Sequence, residues 1–401
     1  MAHSLNGTAL ISKKRCVLVF GSHRSGTSVL TRSLIPAGVF LGESLYGPRF
    51  DNPKGFYEDQ NTNRIDDDFL SCIARQWNSL LLPDSVEPEV ISAYQKKLKE
   101  NIFSRFEDVP LWGLKDPRIS RLWPYWLPVF AEAGIQPLFI LANRHPYSVA
   151  SSLLKRDGMP EAQALALWVV HQLDAMDALL QHGGLVVDYD LMMDRPRHEL
   201  QRIASFLGVE AQLDPDEVAR FESEFLANDL RHSRYPAQTA TSTVSTLQAL
   251  SLEIYGELLK LAQVPGGLTP GSIEYARALV VGFRSELARS MDWMRAIDAL
   301  QAALVLPRGV ATSSLHLASD LESIVSLLKN TLACRDQTMV QQSMQFKKMH
   351  GELLRAEAQL DLLKDLMLDS CQVPDVYKPA SQEMPAVSPA ILLSSGRVIS
   401  G

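Results

Sequence analysis

Residues 16–28 read CVLVFGSHRSGTS, a short apolar run followed by a loop rich in glycine and serine. A continuous apolar run that ends in glycine is typical of a strand buried on both faces of a parallel sheet. The residues after the loop, 27–35, have the pattern of a helix. The stretch therefore predicts a strand, a tight loop and a helix in direct succession.

The composition of this loop favours the binding of a phosphate group. Glycines let backbone N–H groups wrap an oxyanion, hydroxyls add donors, and the start of a helix contributes partial positive charge. On this basis the predicted phosphate-binding residues are Gly21, Ser22, Arg24, Ser25, Gly26, Thr27 and Ser28. A glycine and serine turn between a strand and a helix is also common as a purely structural feature, so the loop alone leaves both interpretations open.

The loop departs from the pattern of nucleoside triphosphatases, which place lysine directly after the second glycine. Thr27 occupies that position here, which disfavours ATP hydrolysis. A cation facing a transferring group would have to come from inside the loop, where Arg24 is the candidate and His23 lies beside it. No acidic residue stands clearly at a strand end to bind magnesium, so we expect no metal.

Similar apolar runs recur at 111–114, 137–142 and 184–187, and each is followed by a helix-like segment. This alternation predicts an α/β fold with a doubly wound parallel sheet of about four or five strands, over residues 16–235. The predicted helices cover residues 27–35, 63–77, 90–106, 120–133, 147–155, 161–181 and 197–206. Five tryptophans are expected in the core rather than in a sugar-binding platform, namely Trp112, Trp123, Trp126, Trp168 and Trp293.

Outside this domain the composition changes several times. Residues 1–15 are expected to be flexible, 236–250 to form a linker or exposed loop, and 372–401 to form a disordered tail. Residues 251–306 predict a helical region of two helices separated at Pro265-Gly266-Gly267. Heptad spacing over 315–370 predicts a long helix, either packed on the helical region or forming a coiled coil that makes a homo-oligomer.

A second group of polar residues follows the strand predicted at 137–142. Arg144 stands at the strand end, and Ser148 and Ser152 lie four residues apart on one face of the next helix. These groups could converge on a second phosphate. The alternative is an ordinary surface arginine with serines that cap the helix.

Together the two groups resemble the sulfotransferases that use 3′-phosphoadenosine 5′-phosphosulfate (PAPS). In that family the first loop holds the 5′-phosphosulfate, and a later arginine with a serine eight residues on, as in Arg144 and Ser152, holds the 3′-phosphate. Residues 113–118, GLKDPR, resemble the element whose lysine, here Lys115, approaches the sulfuryl group. Residues 187–191, VDYDL, resemble the strand that brings a tyrosine, here Tyr189, near the nucleotide. The resemblance covers roughly residues 16–210.

The resemblance implies transfer of a sulfuryl group from PAPS to a hydroxyl, with a carbohydrate or glycolipid as the expected acceptor. Arg24 and Lys115 would stabilise charge in the transition state, and no metal is required. For the general base we expect Glu58, in the turn-rich stretch 51–59, with Glu43 as its competitor and His23 as a third candidate. Either glutamate could equally be an ordinary solvated side chain.

Composition limits the other classes of function. The net charge is −7, with 46% hydrophobic and 21% charged residues, which excludes global disorder and argues against nucleic acid as the main partner. The sequence has no CxxC pair, no apolar stretch of about 18 residues and no apolar segment typical of a signal peptide, so we expect a cytoplasmic protein without a membrane span. Two alternatives are a P-loop small-molecule kinase and an inactive nucleotide-binding adaptor that uses the coiled coil.

Overall fold

The computed structural model describes residues 14–49, 52–226, 246–268 and 270–305. Its sheet is parallel and four-stranded, in the order β2-β1-β3-β4. The strands are β1 (Arg15–Phe20), β2 (Leu111–Lys115), β3 (Gln136–Asn143) and β4 (Leu185–Asp188). The predicted α/β class, with its parallel sheet of about four strands, is confirmed.

The strand order determines where a ligand can bind. In the sheet, Val17 of β1 pairs with Gly113 of β2 on one side and with Leu138 of β3 on the other. The chain passes from β1 to β2 and then crosses over to β3, so connections leave the sheet in opposite directions around β1. Open α/β sheets bind ligands at such a switch point, beyond the carboxyl ends of the strands.

Helices surround the sheet and extend beyond it. Those of the α/β region are α1 (Thr27–Arg32), α2 (Gln60–Cys72), α3 (Pro88–Phe106), α4 (Ile119–Glu132), α5 (Pro146–Asp157), α6 (Glu161–His182), α7 (Tyr189–Asp194), α8 (Pro196–Leu207) and α9 (Pro215–Arg220). Three more follow, α10 (Thr246–Leu261), α11 (Pro270–Ala288) and α12 (Met291–Val305). Among the described residues, no helix is long and apolar enough to cross a membrane.

The sheet separates two apolar cores, as expected of a doubly wound fold. Alternate residues of β1 point to opposite faces, so Leu18 and Phe20 belong to one core, and Val17 and Val19 to the other. The first core includes residues of α3, α4 and α6, and the second includes residues of α1 and α8. Four of the five tryptophans expected in the core are buried there, namely Trp112, Trp123, Trp126 and Trp168.

The second helix differs from its prediction at both ends. It begins at Gln60 because the Asp59 side chain caps it, accepting a hydrogen bond from the Thr62 backbone N–H at 2.9 Å. It ends at Cys72 because Ala74 has a positive φ of 52°, which no helix can continue through. Trp77, the last residue of the helix predicted for residues 63–77, therefore lies in a loop.

The helical region contains three helices where two were predicted. The chain breaks at the predicted Pro265-Gly266-Gly267 and again after α11, where the Ser290 N–H bonds to the Leu287 carbonyl at 2.8 Å. Both α10 and α11 pack against α6. The helix α10 begins at Thr246, within the segment 236–250 predicted as a linker. The predicted long helix at 315–370, the tail and residues 1–13 lie outside the described residues.

Candidate active site

The loop after β1 is held in a tight turn by its own backbone and by α4. The backbone N–H and the hydroxyl of Ser25 both donate to the Ser22 carbonyl, at 3.2 and 2.7 Å. The Gly21 N–H donates to the Ser120 hydroxyl at 2.8 Å. Ser22, Ser25 and Thr27 are buried. The hydroxyl of Ser25 thus maintains the shape of the loop, and its single proton is already used within the loop.

Gly26 brings the loop into direct contact with Tyr189. Its φ is 87°, and a β-carbon placed there would lie 2.4 Å from Cδ2 of Tyr189. The guanidinium of Arg144 lies over the same ring, 4.3 Å from its centroid, and donates to the Arg24 carbonyl at 3.0 Å. Two residues predicted from separate motifs, Arg144 and Tyr189, are therefore brought to the loop.

Arg24 links the loop to the helix that follows β3. Its backbone has a positive φ of 69°, and its Nε donates to the Ser152 hydroxyl at 2.8 Å. Ser148, one turn earlier on α5, is buried. The side chain of Arg24 thus points toward the predicted second anion site, where Arg144 and Ser152 lie.

Lys115 approaches the loop from the other side, at the end of β2. Its side chain is 3% exposed. The ammonium lies 2.7 Å from Oε1 of Glu58, 3.0 Å from the Phe56 carbonyl and 3.4 Å from the Ser28 hydroxyl. A buried cation therefore stands beside the last residue of the loop, although the loop itself contains no lysine.

The carboxylate of Glu58 is fixed at both oxygens. Oε1 accepts from Lys115, and Oε2 accepts from the Asn63 amide at 3.1 Å. The same amide donates to Oδ2 of Asp116 at 3.2 Å, and Asp116 also binds the Arg118 guanidinium. No motif in the sequence points to a role for Asn63. Its only signal was a position five residues after Glu58, at the start of a helix.

Glu58 and Phe56 belong to a ribbon that we call the strap, residues 44–49 and 52–60. Its two arms are joined by hydrogen bonds from the Tyr46 N–H to the Glu58 carbonyl and from the Gln60 N–H to the Ser44 carbonyl, both 2.8 Å. At its exposed end the guanidinium of Arg49 lies 5.4 Å from the Tyr46 ring and 5.8 Å from the Phe56 ring. The strap thus places an aromatic and cationic surface next to Lys115 and Glu58.

The other two candidate bases lie in different surroundings. Glu43 is exposed and forms no hydrogen bond or ion pair with any described residue. His23 packs against Trp77, with ring centroids 4.5 Å apart, and its Nε2 is buried without a hydrogen-bond partner in the described part of the chain. Burial, with the nearby charge of Arg118, holds the pKa of His23 well below its ordinary value, so this imidazole is neutral.

The described residues include no cluster of three or more His, Cys, Asp or Glu arranged to hold a metal ion.

No family model matches the chain, and no curated protein matches it. Among solved structures, it is similar to the sulfotransferase domain of the Synechococcus PCC 7002 olefin synthase, with 22% identity, a TM-score of 0.36, and coverage of 62% of this chain and 95% of that domain. It is also similar to the sulfotransferase domain from the curacin biosynthetic pathway, with 16% identity, a TM-score of 0.30, and coverage of 67% and 98%.

Proposed function

We propose that the protein is a sulfotransferase that moves the sulfuryl group of PAPS to an acceptor hydroxyl. The observation that carries this proposal is the position of Lys115, whose ammonium contacts both the Ser28 hydroxyl of the loop and the carboxylate of Glu58. Sulfuryl transfer, like phosphoryl transfer, needs a fixed cation beside the transferring group and a base for the incoming hydroxyl. This pair supplies one of each.

The separation of the two cationic sites fits a donor with two phosphate clusters. Lys115 ends β2 and Arg144 follows β3, and these strands flank β1 on opposite sides. Neighbouring strands lie about 4.8 Å apart, so the two backbones are about 10 Å from each other. PAPS carries its phosphosulfate and its 3′-phosphate on opposite sides of one ribose, and each site can meet one of them.

The residues present fit this donor. Residues 21–28 would hold the phosphosulfate, because Gly21 and Gly26 both have the positive φ that bends the backbone into a cradle. Arg144 and Ser152 would hold the 3′-phosphate, and Tyr189 would lie near the nucleotide. Arg24 joins the two sites, because its side chain reaches Ser152 from within the loop.

In the reaction, Lys115 would stabilise the negative charge that develops on the leaving oxygen. Glu58, held by Lys115 and Asn63, would accept the proton of the acceptor hydroxyl. Its contacts make it the best placed of the three candidate bases, because Glu43 makes no such contact and His23 turns its Nε2 inward. We propose a carbohydrate or glycolipid acceptor, supported by the strap, where the exposed Arg49 lies over the half-buried rings of Tyr46 and Phe56.

The decisive experiment is calorimetric titration of the protein with adenosine 3′,5′-bisphosphate, in parallel with ATP and magnesium. We expect tight binding of the bisphosphate, which Arg144→Ala weakens and Arg197→Ala leaves unchanged, because Arg197 is exposed and pairs with Glu222. Magnesium-dependent binding of ATP without binding of the bisphosphate would instead establish the kinase alternative. Bisphosphate binding without turnover of PAPS on any acceptor would support the adaptor.

A further inference from the structure

Trp77, which is not among the five tryptophans expected in the core, contacts both of the proposed anion-binding segments. Trp77 packs on His23 of the loop after β1, residues 21–28, which is called the phosphate loop from here on; the ring centroids are 4.5 Å apart. The guanidinium of Arg156 lies 5.1 Å from the Trp77 ring centroid. Arg156 is on α5, one turn after Ser152, which binds Arg24. A single side chain therefore touches the loop after β1 and the helix after β3.

The segment that carries this side chain, residues 76–81, is named here the Trp77 loop. A turn closes it locally, since the Gln76 N–H donates to the Ser79 hydroxyl at 3.0 Å. From α4, the Arg121 guanidinium donates to the carbonyls of Ser79 and Leu80. The loop has no regular helix or strand of its own, so its position depends on these side-chain contacts and on the burial of Leu80 in the first apolar core.

A further contact comes from the helical region, more than two hundred residues away in sequence. Asp298 of α12 accepts hydrogen bonds from two successive backbone N–H groups, from Leu80 at Oδ1 (2.7 Å) and from Leu81 at Oδ2 (2.8 Å). Hydrogen bonds to an ionised acceptor are roughly twice as strong as neutral ones. Leu80 is fully buried, and loss of the carboxylate would leave its N–H without this partner.

We infer that Asp298 is a positioning residue of the candidate active site. It fixes the Trp77 loop, which in turn holds His23 and Arg156 in place and thereby sets the phosphate loop and α5 relative to each other. The helical region then helps to position the residues of the proposed nucleotide site. The choice of ligand in this inference rests on the proposed function. The position of the Trp77 loop rests only on the contacts described above.

The test compares Asp298→Asn with Asp292→Asn in the full chain. Asparagine at 298 keeps one acceptor but turns an NH2 group toward the second backbone N–H. Asp292 is an exposed residue of the same helix that pairs with Arg295, so its variant is the matched control. We expect Asp298→Asn to weaken binding of adenosine 3′,5′-bisphosphate about tenfold, which corresponds to about 1.4 kcal/mol. The control should bind as the wild type does.

A second readout needs no nucleotide. Amide hydrogen exchange of the unliganded protein should speed up in residues 21–28 and 76–81 of Asp298→Asn, with no change across the sheet. Unchanged exchange in residues 21–28 would overturn the inference, and so would a uniform acceleration with a lowered Tm, which indicates a purely structural role. If the wild type fails to bind the bisphosphate, the proposed function fails, while the exchange data still decide the role of Asp298.

Trp77→Leu provides an independent check, and its own effect on affinity can be measured even if Asp298→Asn folds poorly. It removes the contact with His23 and Arg156 without disturbing the hydrogen bonds of Asp298. We expect a similar loss of bisphosphate affinity. Where Asp298→Asn folds, the double variant should bind the bisphosphate no more weakly than the more affected single variant, because both changes disturb the same series of contacts. Fully additive losses would contradict the inference.

Discussion

The ammonium of Lys115 lies 2.7 Å from the carboxylate of Glu58, in a position where the first is almost fully buried and the second largely so. One residue ends β2 and the other belongs to the strap, so neither element alone forms the pair. The two proposed catalytic groups therefore hold each other in place, and a change in one alters the surroundings of the other.

Lys115→Met should nearly abolish turnover. It removes the proposed cation next to Ser28, and loss of such transition-state stabilisation typically lowers kcat by about 10²–10³. It also leaves Glu58 buried without its partner, which should lower the free energy of unfolding by about 3–5 kcal/mol. Urea unfolding and turnover of PAPS measure the two effects. Lys97→Met, which removes an exposed pair with Asp68, is the control and should change neither. Retained turnover would remove Lys115 from the mechanism.

Glu58→Gln should separate the chemical step from nucleotide binding. The glutamine oxygen can still accept from Lys115, but the side chain no longer accepts a proton, so kcat should fall by about 10²–10⁴. Affinity for adenosine 3′,5′-bisphosphate should stay close to that of the wild type, as measured by calorimetry. Glu43→Gln is the matched comparison and should keep its rate. The reverse result, a slow Glu43→Gln and an unaffected Glu58→Gln, would transfer the role of base to Glu43.

Gly26→Ala should disrupt the phosphate loop for two reasons at once. The residue has a φ of 87°, and its new β-carbon would lie 2.4 Å from the Tyr189 ring. Gly208→Ala isolates the first reason, since Gly208 has a φ of 67° and a β-carbon added there would meet no described atom within 4 Å. For the control, Gly208→Ala, we expect the free energy of unfolding to fall by about 1 kcal/mol and the affinity for the bisphosphate to stay normal. For Gly26→Ala we expect a larger fall in the free energy of unfolding and a loss of bisphosphate affinity. Equal effects would show that contact with Tyr189 does not matter.

Asp188 should make stability depend on pH. Burial raises the pKa of this carboxyl from 3.8 to about 7, so the folded protein keeps a proton that the unfolded chain has already lost. The resulting stabilisation is complete below pH 4 and decreases as the pH rises toward 7, by up to about 4 kcal/mol. Asp188→Asn removes this dependence. The difference in free energy of unfolding between wild type and variant should therefore shift in favour of the variant from pH 4 to 7, and a constant difference would contradict the assigned pKa.

The sheet and the loop could be predicted because their signals are local. The uninterrupted apolar run of β1 predicts a strand that is buried on both faces of the sheet. The glycines between this strand and the next helix predict the loop. The motif order also identified Arg144 and Tyr189, which the fold brings to the loop. The roles assigned to the individual site residues stay predictions until variants are measured.

What escaped prediction depends on contacts between distant segments. Nothing in the neighbourhood of Asn63 indicates that its amide joins Glu58 to Asp116. The helix predicted to reach Trp77 ends at Cys72, because Ala74 has a positive φ. Alanine rarely adopts a positive φ, so the sequence gives no indication of this end. Asp298 reads as an ordinary polar position of an amphipathic helix, and only its two bonds to the Trp77 loop distinguish it.

The contact of Gly26 with Tyr189 has a consequence for the order of folding. The phosphate loop is contiguous in sequence, yet it packs against a ring that the ribosome adds 163 residues later, directly after β4. During synthesis the strand and the first helix can form early, but the loop lacks this packing partner until the fourth strand has joined the sheet. If the proposed function holds, a nascent chain arrested before residue 189 should bind adenosine 3′,5′-bisphosphate more weakly than the released protein, even with every residue of the loop already outside the ribosome.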